Sequence, residues 1–289
     1  MFNGSIVALV TPFDENDRID FGAVKSLIEW HIEAGSSGIL IGGTTGESPT
    51  LSKDEFRELL AFAIKTVNGR TPIIAGTGSN NTKDAIEKTK LAKELGADAS
   101  LSVTPAYNKP TQKGLIEHFS RIADEVDMPI ILYNVPGRTG VSLTAQTVAE
   151  LARHNRIIGI KEASADMGLA AEIKRLSPPE FILLSGDDVT AFPFFALGGR
   201  GVISVTANVA PGMINEQWQL FASGDLEGAL KLHLKLLPLH RAMFWETNPA
   251  PAKAALSILG KIKNRLRLPL VPLSAEKIPD MEKLLNQYR

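Results

Sequence analysis

One pattern dominates the chain: a short apolar segment followed by an amphipathic stretch, repeated eight times. The apolar segments start near Ser5 (SIVALVTPF), Gly38 (GILIGGTTG), Pro72 (PIIAGTG), Ala99 (ASLSVTP), Pro129 (PIILYNVP), Ile157 (IIGIKEA), Phe181 (FILLSGD) and Gly201 (GVISVTAN), at intervals of 20 to 34 residues. Each interval fits a strand, a loop, a helix and a return. The segments are rich in Val, Ile and Leu, as parallel strands covered on both faces must be. The stretches between them carry helix signals. Between Phe21 and Ala34, the apolar residues Val24, Leu27, Ile28 and Ile32 fall on one helical face. Ser52-Lys53-Asp54-Glu55 has the spacing of a capping box. Ala85, Ile86, Thr89, Ala92 and Lys93 continue the period between Thr82 and Leu95.

Eight such units predict an α/β chain folded as a closed (β/α)8 TIM barrel. The alternative is an open doubly wound sheet. Its dinucleotide fingerprint is incomplete, because Gly76-Thr77-Gly78-Ser79-Asn80-Asn81 has asparagine where the third glycine belongs. After the eighth barrel helix, expected around Met213 to Ala222, three more helices are expected at Asp225 to Trp245, Pro249 to Leu259 and Ser274 to Gln287. The chain therefore reads as a (β/α)8 barrel over 1–224 and a C-terminal helical extension, packed on the barrel, over 225–289.

Composition narrows the function classes. The 289 residues are 44% hydrophobic and 22% charged, with a net charge of −1, so nothing favours nucleic acid or an anionic membrane surface. No apolar run approaches the ~20 residues of a membrane span, and Met1-Phe2-Asn3-Gly4-Ser5 lacks the basic start of a signal peptide. A cytoplasmic location fits. Cysteine is absent, which removes disulfides and thiolate metal sites. His31, His118, His154, His233 and His240 all fall on expected helices or their ends with no metal-binding spacing, so no metal is expected.

Lys161 is the sharpest chemical signal. It lies in Ile157-Ile158-Gly159-Ile160-Lys161, a run that reads as a buried strand. Loss of water around an ammonium favours the neutral amine, a nucleophile suited to Schiff-base formation with a carbonyl. The plainer reading is a strand-end lysine that snorkels to water. In a barrel, reactive groups gather at the C-terminal ends of the strands. Strand alternation gives Tyr133 the same inward parity as Ile131 and sets it beside Lys161, as a proton-shuttling phenol or a hydrogen-bonded core tyrosine. Glu162 should point away. Arg138 can grip a carboxylate or stay solvated. Gly42-Gly43-Thr44-Thr45-Gly46-Glu47-Ser48 offers amides and hydroxyls to a small carboxylate, or serves as a tight turn capping the next helix. Tyr107 is an active-site phenol or an interface aromatic.

Six of these segments together resemble the dihydrodipicolinate synthases of the pyruvate-dependent Schiff-base aldolase and lyase superfamily. They are GGTTGES at Gly42, VTPAYNKP at Val103, ILYNVPGRTG at Ile131, IIGIKEAS at Ile157, LLSGDD at Leu183 and GVISVTAN at Gly201. The resemblance covers essentially the whole chain. It implies a condensation of pyruvate with L-aspartate 4-semialdehyde through an imine on Lys161, on the path to diaminopimelate and lysine. It assigns a proton relay to Tyr133, Thr44 and Tyr107, with Tyr107 supplied by a neighbouring subunit. Thr45 would bind the pyruvate carboxylate, Arg138 the semialdehyde carboxylate, and the Ile203 carbonyl would orient the amine. The implied cofactor is none beyond the lysine itself, and the implied assembly is a homotetramer, a dimer of dimers. The family's lysine-feedback pocket maps to Ser48, Pro49, Lys53, Phe56, Asn80, Asp84 and Ala106. Sensitive relatives resemble one another in carrying histidines at the positions of Lys53 and Phe56, and tyrosine at that of Ala106. Weak or absent feedback follows. Two rivals share much of this pattern: N-acetylneuraminate lyases or 2-keto-3-deoxy sugar-acid aldolases, and a non-catalytic barrel that has kept the scaffold.

Overall fold

The computed structural model describes residues 2–288. Eight parallel strands close in chain order into a barrel. They are β1 (Gly4–Ala8), β2 (Gly38–Ile41), β3 (Ile73–Gly76), β4 (Ala99–Val103), β5 (Ile130–Asn134), β6 (Ile157–Glu162), β7 (Ile182–Ser185) and β8 (Gly201–Ser204). The helices are α1 (Phe21–Glu33), α2 (Lys53–Val67), α3 (Thr82–Leu95), α4 (Gln112–Glu125), α5 (Pro136–Thr139), α6 (Ala145–Leu151), α7 (Met167–Leu176), α8 (Ala191–Ala196), α9 (Pro211–Ala222), α10 (Leu226–Ala242), α11 (Ala250–Ile258) and α12 (Ile278–Leu285). The (β/α)8 expectation is borne out. Among the described residues, no helix is long and apolar enough to cross a membrane.

By contacts, the chain divides into two compact units. One holds Phe2, Asn3 and Pro72–Ile203; the other holds Gly4–Thr71 and the residues from Ser204 onward.

In the first unit, β5 and β6 pair with Leu132 opposite Ile160, Tyr133 opposite Lys161 and Asn134 opposite Glu162. On β7, Leu184 lies opposite Lys161 and Ser185 opposite Glu162. Ile74, Ile131, Ile160 and Leu184 are fully buried, each contributing on the order of 1.5–3 kcal/mol of hydrophobic stabilisation. The hydroxyls of Thr77, Thr89 and Ser100 satisfy one another locally. Thr89 Oγ1 donates to Thr77 Oγ1 (2.9 Å), and Thr77 Oγ1 donates to Ser100 Oγ (3.0 Å).

In the second unit, Val7 pairs with Ile39 and Ala8 with Leu40. Helix α9 packs on β1 and α10 packs along α9. Asn208 ties the end of β1 to the chain beyond β8: its Nδ2 donates to Ala8 O (2.8 Å), and its Oδ1 accepts from Val10 N (3.0 Å). The capping box on α2 forms as expected, with Glu55 N donating to Ser52 Oγ (3.1 Å) and Ser52 N to Glu55 Oε2 (2.9 Å). Such a cap contributes about 1 kcal/mol.

Two of the boundaries that differ from the sequence expectation do so for a common reason. Helix α9 begins at Pro211 rather than Met213, because a proline with no N–H is well placed in a first turn. The last expected helix divides into a 3₁₀ turn, Ala275–Lys277, and α12, whose first turn holds Pro279.

Candidate active site

Lys161 sits one residue before the end of β6 and is 5% exposed. Its Nζ lies 4.3 Å from the centroid of the Tyr133 ring, the neighbour that the β5–β6 register puts directly opposite. Among the described residues, no ion pair engages this amine. Gly186, immediately after β7, makes room for it. A Cβ there would stand 2.9 Å from Lys161 Cε, 3.0 Å from its Cγ and 2.6 Å from Ala163 Cβ. The amine thus emerges through a slot that any larger residue would narrow.

Glu162 faces the other way, as strand alternation requires. Its carboxylate accepts from Asn134 Nδ2 (2.8 Å) and Ser164 N (2.6 Å). Burial pushes this carboxyl up from the usual range, while the Ser164 and Asn134 hydrogen bonds pull it back. Asn134 Oδ1 also accepts from Leu143 N (3.0 Å). Asn134 and Glu162 together fasten the ends of β5 and β6 and the chain that follows α5.

Arg138 is exposed and lies on α5, a four-residue helix. Thr139 Oγ1, next to it, accepts from Thr104 Oγ1 (3.2 Å), joining this turn to the end of β4. Tyr107 N donates to Thr139 O (3.4 Å), while the Tyr107 side chain is 92% exposed on a backbone with φ 74°. A bulky aromatic held in the left-handed region and facing solvent is a costly arrangement. Ile203 is fully buried in β8. Asp187, after β7, is engaged at the start of α8, where its Oδ2 accepts from Thr190 N (3.0 Å) and Thr190 Oγ1 (2.7 Å).

The second unit carries the Gly42–Ser48 loop. Gly42 takes φ 67°, and the turn is closed by Gly46 N and Ser48 N donating to Gly43 O (3.1 and 3.3 Å). Thr11 Oγ1 donates to Gly46 O (2.7 Å). Thr44 is half-buried and Thr45 buried. Neither caps α2, which is capped by Ser52. Thr45 Oγ1 accepts from Asn248 Nδ2 (2.9 Å). Glu47 is fully buried and paired with the equally buried Lys253 at 2.5 Å. Burial pushes this lysine down to about 8, although Glu47 pulls the other way.

The positions of the expected feedback pocket fall in both units. Asn80, Asp84 and Ala106 belong to the first, where Asn80 Nδ2 donates to Ala106 O (3.4 Å). Ser48, Pro49, Lys53 and Phe56 belong to the second, with Phe56 buried and Lys53 exposed. Sequence reasoning did not find Gly186, Asn134, Asn248 or the Lys253–Glu47 pair. One signal for the last was available: a lysine set in Ala250-Pro251-Ala252-Lys253-Ala254-Ala255-Leu256, where no other charge interrupts the apolar run.

Comparison with known proteins agrees with this geometry. Residues 1–288 match the Dihydrodipicolinate synthetase family. The 4-hydroxy-tetrahydrodipicolinate synthase of Thermodesulfovibrio yellowstonii is 54% identical over 274 residues, covering 95% of this chain and 94% of that protein. The crystal structure of the chloride-inhibited dihydrodipicolinate synthase from Acinetobacter baumannii, complexed with pyruvate, superposes with a TM-score of 0.98 at 45% identity, covering 100% of this chain and 99% of that one. The Cyanidioschyzon merolae enzyme, solved with lysine bound, gives a TM-score of 0.96 at 41% identity, covering 99% and 98%.

Proposed function

Because the chain belongs to the dihydrodipicolinate synthetase family, we propose that it condenses pyruvate with L-aspartate 4-semialdehyde through an imine on Lys161, in the branch leading to diaminopimelate and lysine. The amine of Lys161 adds to the keto carbon of pyruvate, and water leaves to give the imine. Loss of a methyl proton yields the enamine. Its carbon attacks the semialdehyde, and the substrate's own amine then displaces the lysine and closes the six-membered ring. The covalent lysine replaces any separate cofactor, and no metal takes part.

One observation carries this reading most directly: Lys161 is buried, engaged in no ion pair among the described residues, and held over a phenol. An amine in that setting is available for chemistry, whereas the other buried lysine, Lys253, is committed to Glu47. Tyr133, Thr44 and Tyr107 are the proposed relay that moves protons at the imine nitrogen and the departing oxygen. Hydroxyls do this without placing a fixed charge beside the iminium. Thr45 binds the pyruvate carboxylate, Arg138 that of the semialdehyde, and the Ile203 carbonyl orients the amine. The exposed, strained Tyr107 fits a residue completed by a second copy of the chain, so the working enzyme is a homotetramer built from paired dimers, acting in the cytoplasm.

Borohydride reduction in the presence of pyruvate tests the imine. A mass gain on the peptide containing Lys161 is expected, and no adduct would refute it. A coupled assay with the semialdehyde, set against cleavage of a sugar acid, then separates this activity from that of the sugar-acid aldolases. Feedback should be weak. The Lys53 ammonium would repel that of a bound lysine, and Ala106 is too short to close over it. Loss of activity in sub-millimolar lysine would overturn this expectation.

A further inference from the structure

The Lys253–Glu47 pair lies outside the proposed chemistry, yet it is among the most fully enclosed features of the chain. Both side chains are 0% exposed. Lys253 Nζ contacts Glu47 Oε1 and donates to Arg265 O (2.8 Å), and it sits 4.2 Å from the Phe13 ring centroid. The other carboxylate oxygen of Glu47 accepts from Arg267 N (3.0 Å). The Arg267 guanidinium stacks on the same Phe13 ring at 4.4 Å and is itself paired with Glu55 at 2.5 Å. A buried ion pair is seldom retained for stability, because well-packed apolar residues of similar volume do as well or better. Such a pair can instead fix geometry.

Its position shows which geometry. Glu47 closes the Gly42–Ser48 loop with φ 55° and ψ 38°, a left-handed conformation unfavourable for a residue with a Cβ. The donors on its carboxylate hold it there. Two residues earlier, Thr45 Oγ1 is gripped by Asn248. The loop's own backbone bonds end at Gly43 O and Thr44 O. Its side-chain anchors at Thr45 and Glu47 thus come from the C-terminal extension, more than 200 residues away in sequence.

We propose that Lys253 and Asn248 are positioning residues for the Thr44–Thr45 loop, so that the C-terminal extension sets the enzyme's affinity for pyruvate. This rests on the reading of Thr45 as the pyruvate-carboxylate site. The brace holds the loop's amides and hydroxyls in one arrangement before the keto acid arrives, and a preorganised anion site binds more tightly than one that must be ordered on binding.

The test uses the full-length protein and two variants. Lys253→Met combined with Glu47→Gln removes both buried charges at similar volume. Asn248→Ala removes the contact with Thr45 and leaves the ion pair intact. Pyruvate KM and the concentration dependence of borohydride trapping are measured for each, together with kcat at saturating pyruvate and Tm. Both variants should raise pyruvate KM about tenfold, the loss of roughly one well-placed polar contact, with kcat changed less than about threefold. A generally damaged fold would lower kcat instead. Unchanged pyruvate KM in a folded double variant, or in Asn248→Ala should the double variant fail to fold, overturns the proposal while wild-type trapping still upholds the imine. Absence of a wild-type adduct overturns both.

Discussion

Gly186→Ala tests the slot around Lys161 with the smallest possible change. Carbon atoms in ordinary contact lie about 3.5–4.0 Å apart. The new methyl would stand 2.6 Å from Ala163 Cβ and 2.9 and 3.0 Å from Lys161 Cε and Cγ. Ala163 has no rotamer with which to yield. Relief must come from backbone movement or from displacement of the lysine stem by several tenths of an ångström or more. Overpacking of this kind costs about 1–3 kcal/mol, and in a chain of this size each kcal/mol lowers Tm by about 2–4 °C. The effect on chemistry should be larger, since misplacing a reacting group by about 1 Å costs on the order of 10²-fold in rate. Rapid mixing with pyruvate, a borohydride quench and mass analysis of the peptide containing Lys161 would measure that rate, with a thermal melt alongside. Gly212→Ala in α9 is the control, because nothing lies within 4 Å of its added methyl. A folded Gly186→Ala protein that forms the imine at the wild-type rate would refute the reasoning.

Two further outcomes follow from the geometry. Asn134→Ala deprives Glu162 of a donor and Leu143 N of its acceptor, both buried; it should cost about 2–4 kcal/mol, and a denaturant titration showing less than 1 kcal/mol would contradict this. Acid should destabilise the fold through its buried histidines: burial, helped by the Lys261 charge, pushes His31 down to about 3, and burial pushes His118 down to about 4. Both lie below the unfolded value of about 6.5, so the unfolded chain binds more protons in this range. The stability they contribute is complete above pH 6.5 and declines as pH falls towards 4. Tm should drop across that interval, less so in His118→Leu, and a flat profile would rule the effect out.

The barrel was legible because each strand is a continuous apolar run and each long helix keeps its period. Strand alternation alone paired Lys161 with Tyr133, and the β5–β6 register places them opposite one another. Helix α5 was not legible, since Pro136-Gly137-Arg138-Thr139 is too short to show a period. Gly186 matters for the space it leaves, which no residue pattern reports. The Lys253–Glu47 pair joins positions 206 apart, so it exists only once the extension has folded back on the Gly42–Ser48 loop. Local signals thus gave the elements and the neighbourhood of Lys161, while the supports that hold them in place required the tertiary structure.

The central claim is that the amine of Lys161 forms the bond to pyruvate. Turnover of pyruvate and the semialdehyde by Lys161→Ala, in a sample whose circular dichroism and Tm match the wild type, measures it most directly. Loss of condensation by several orders of magnitude is the predicted result, and retention of wild-type turnover would contradict the account.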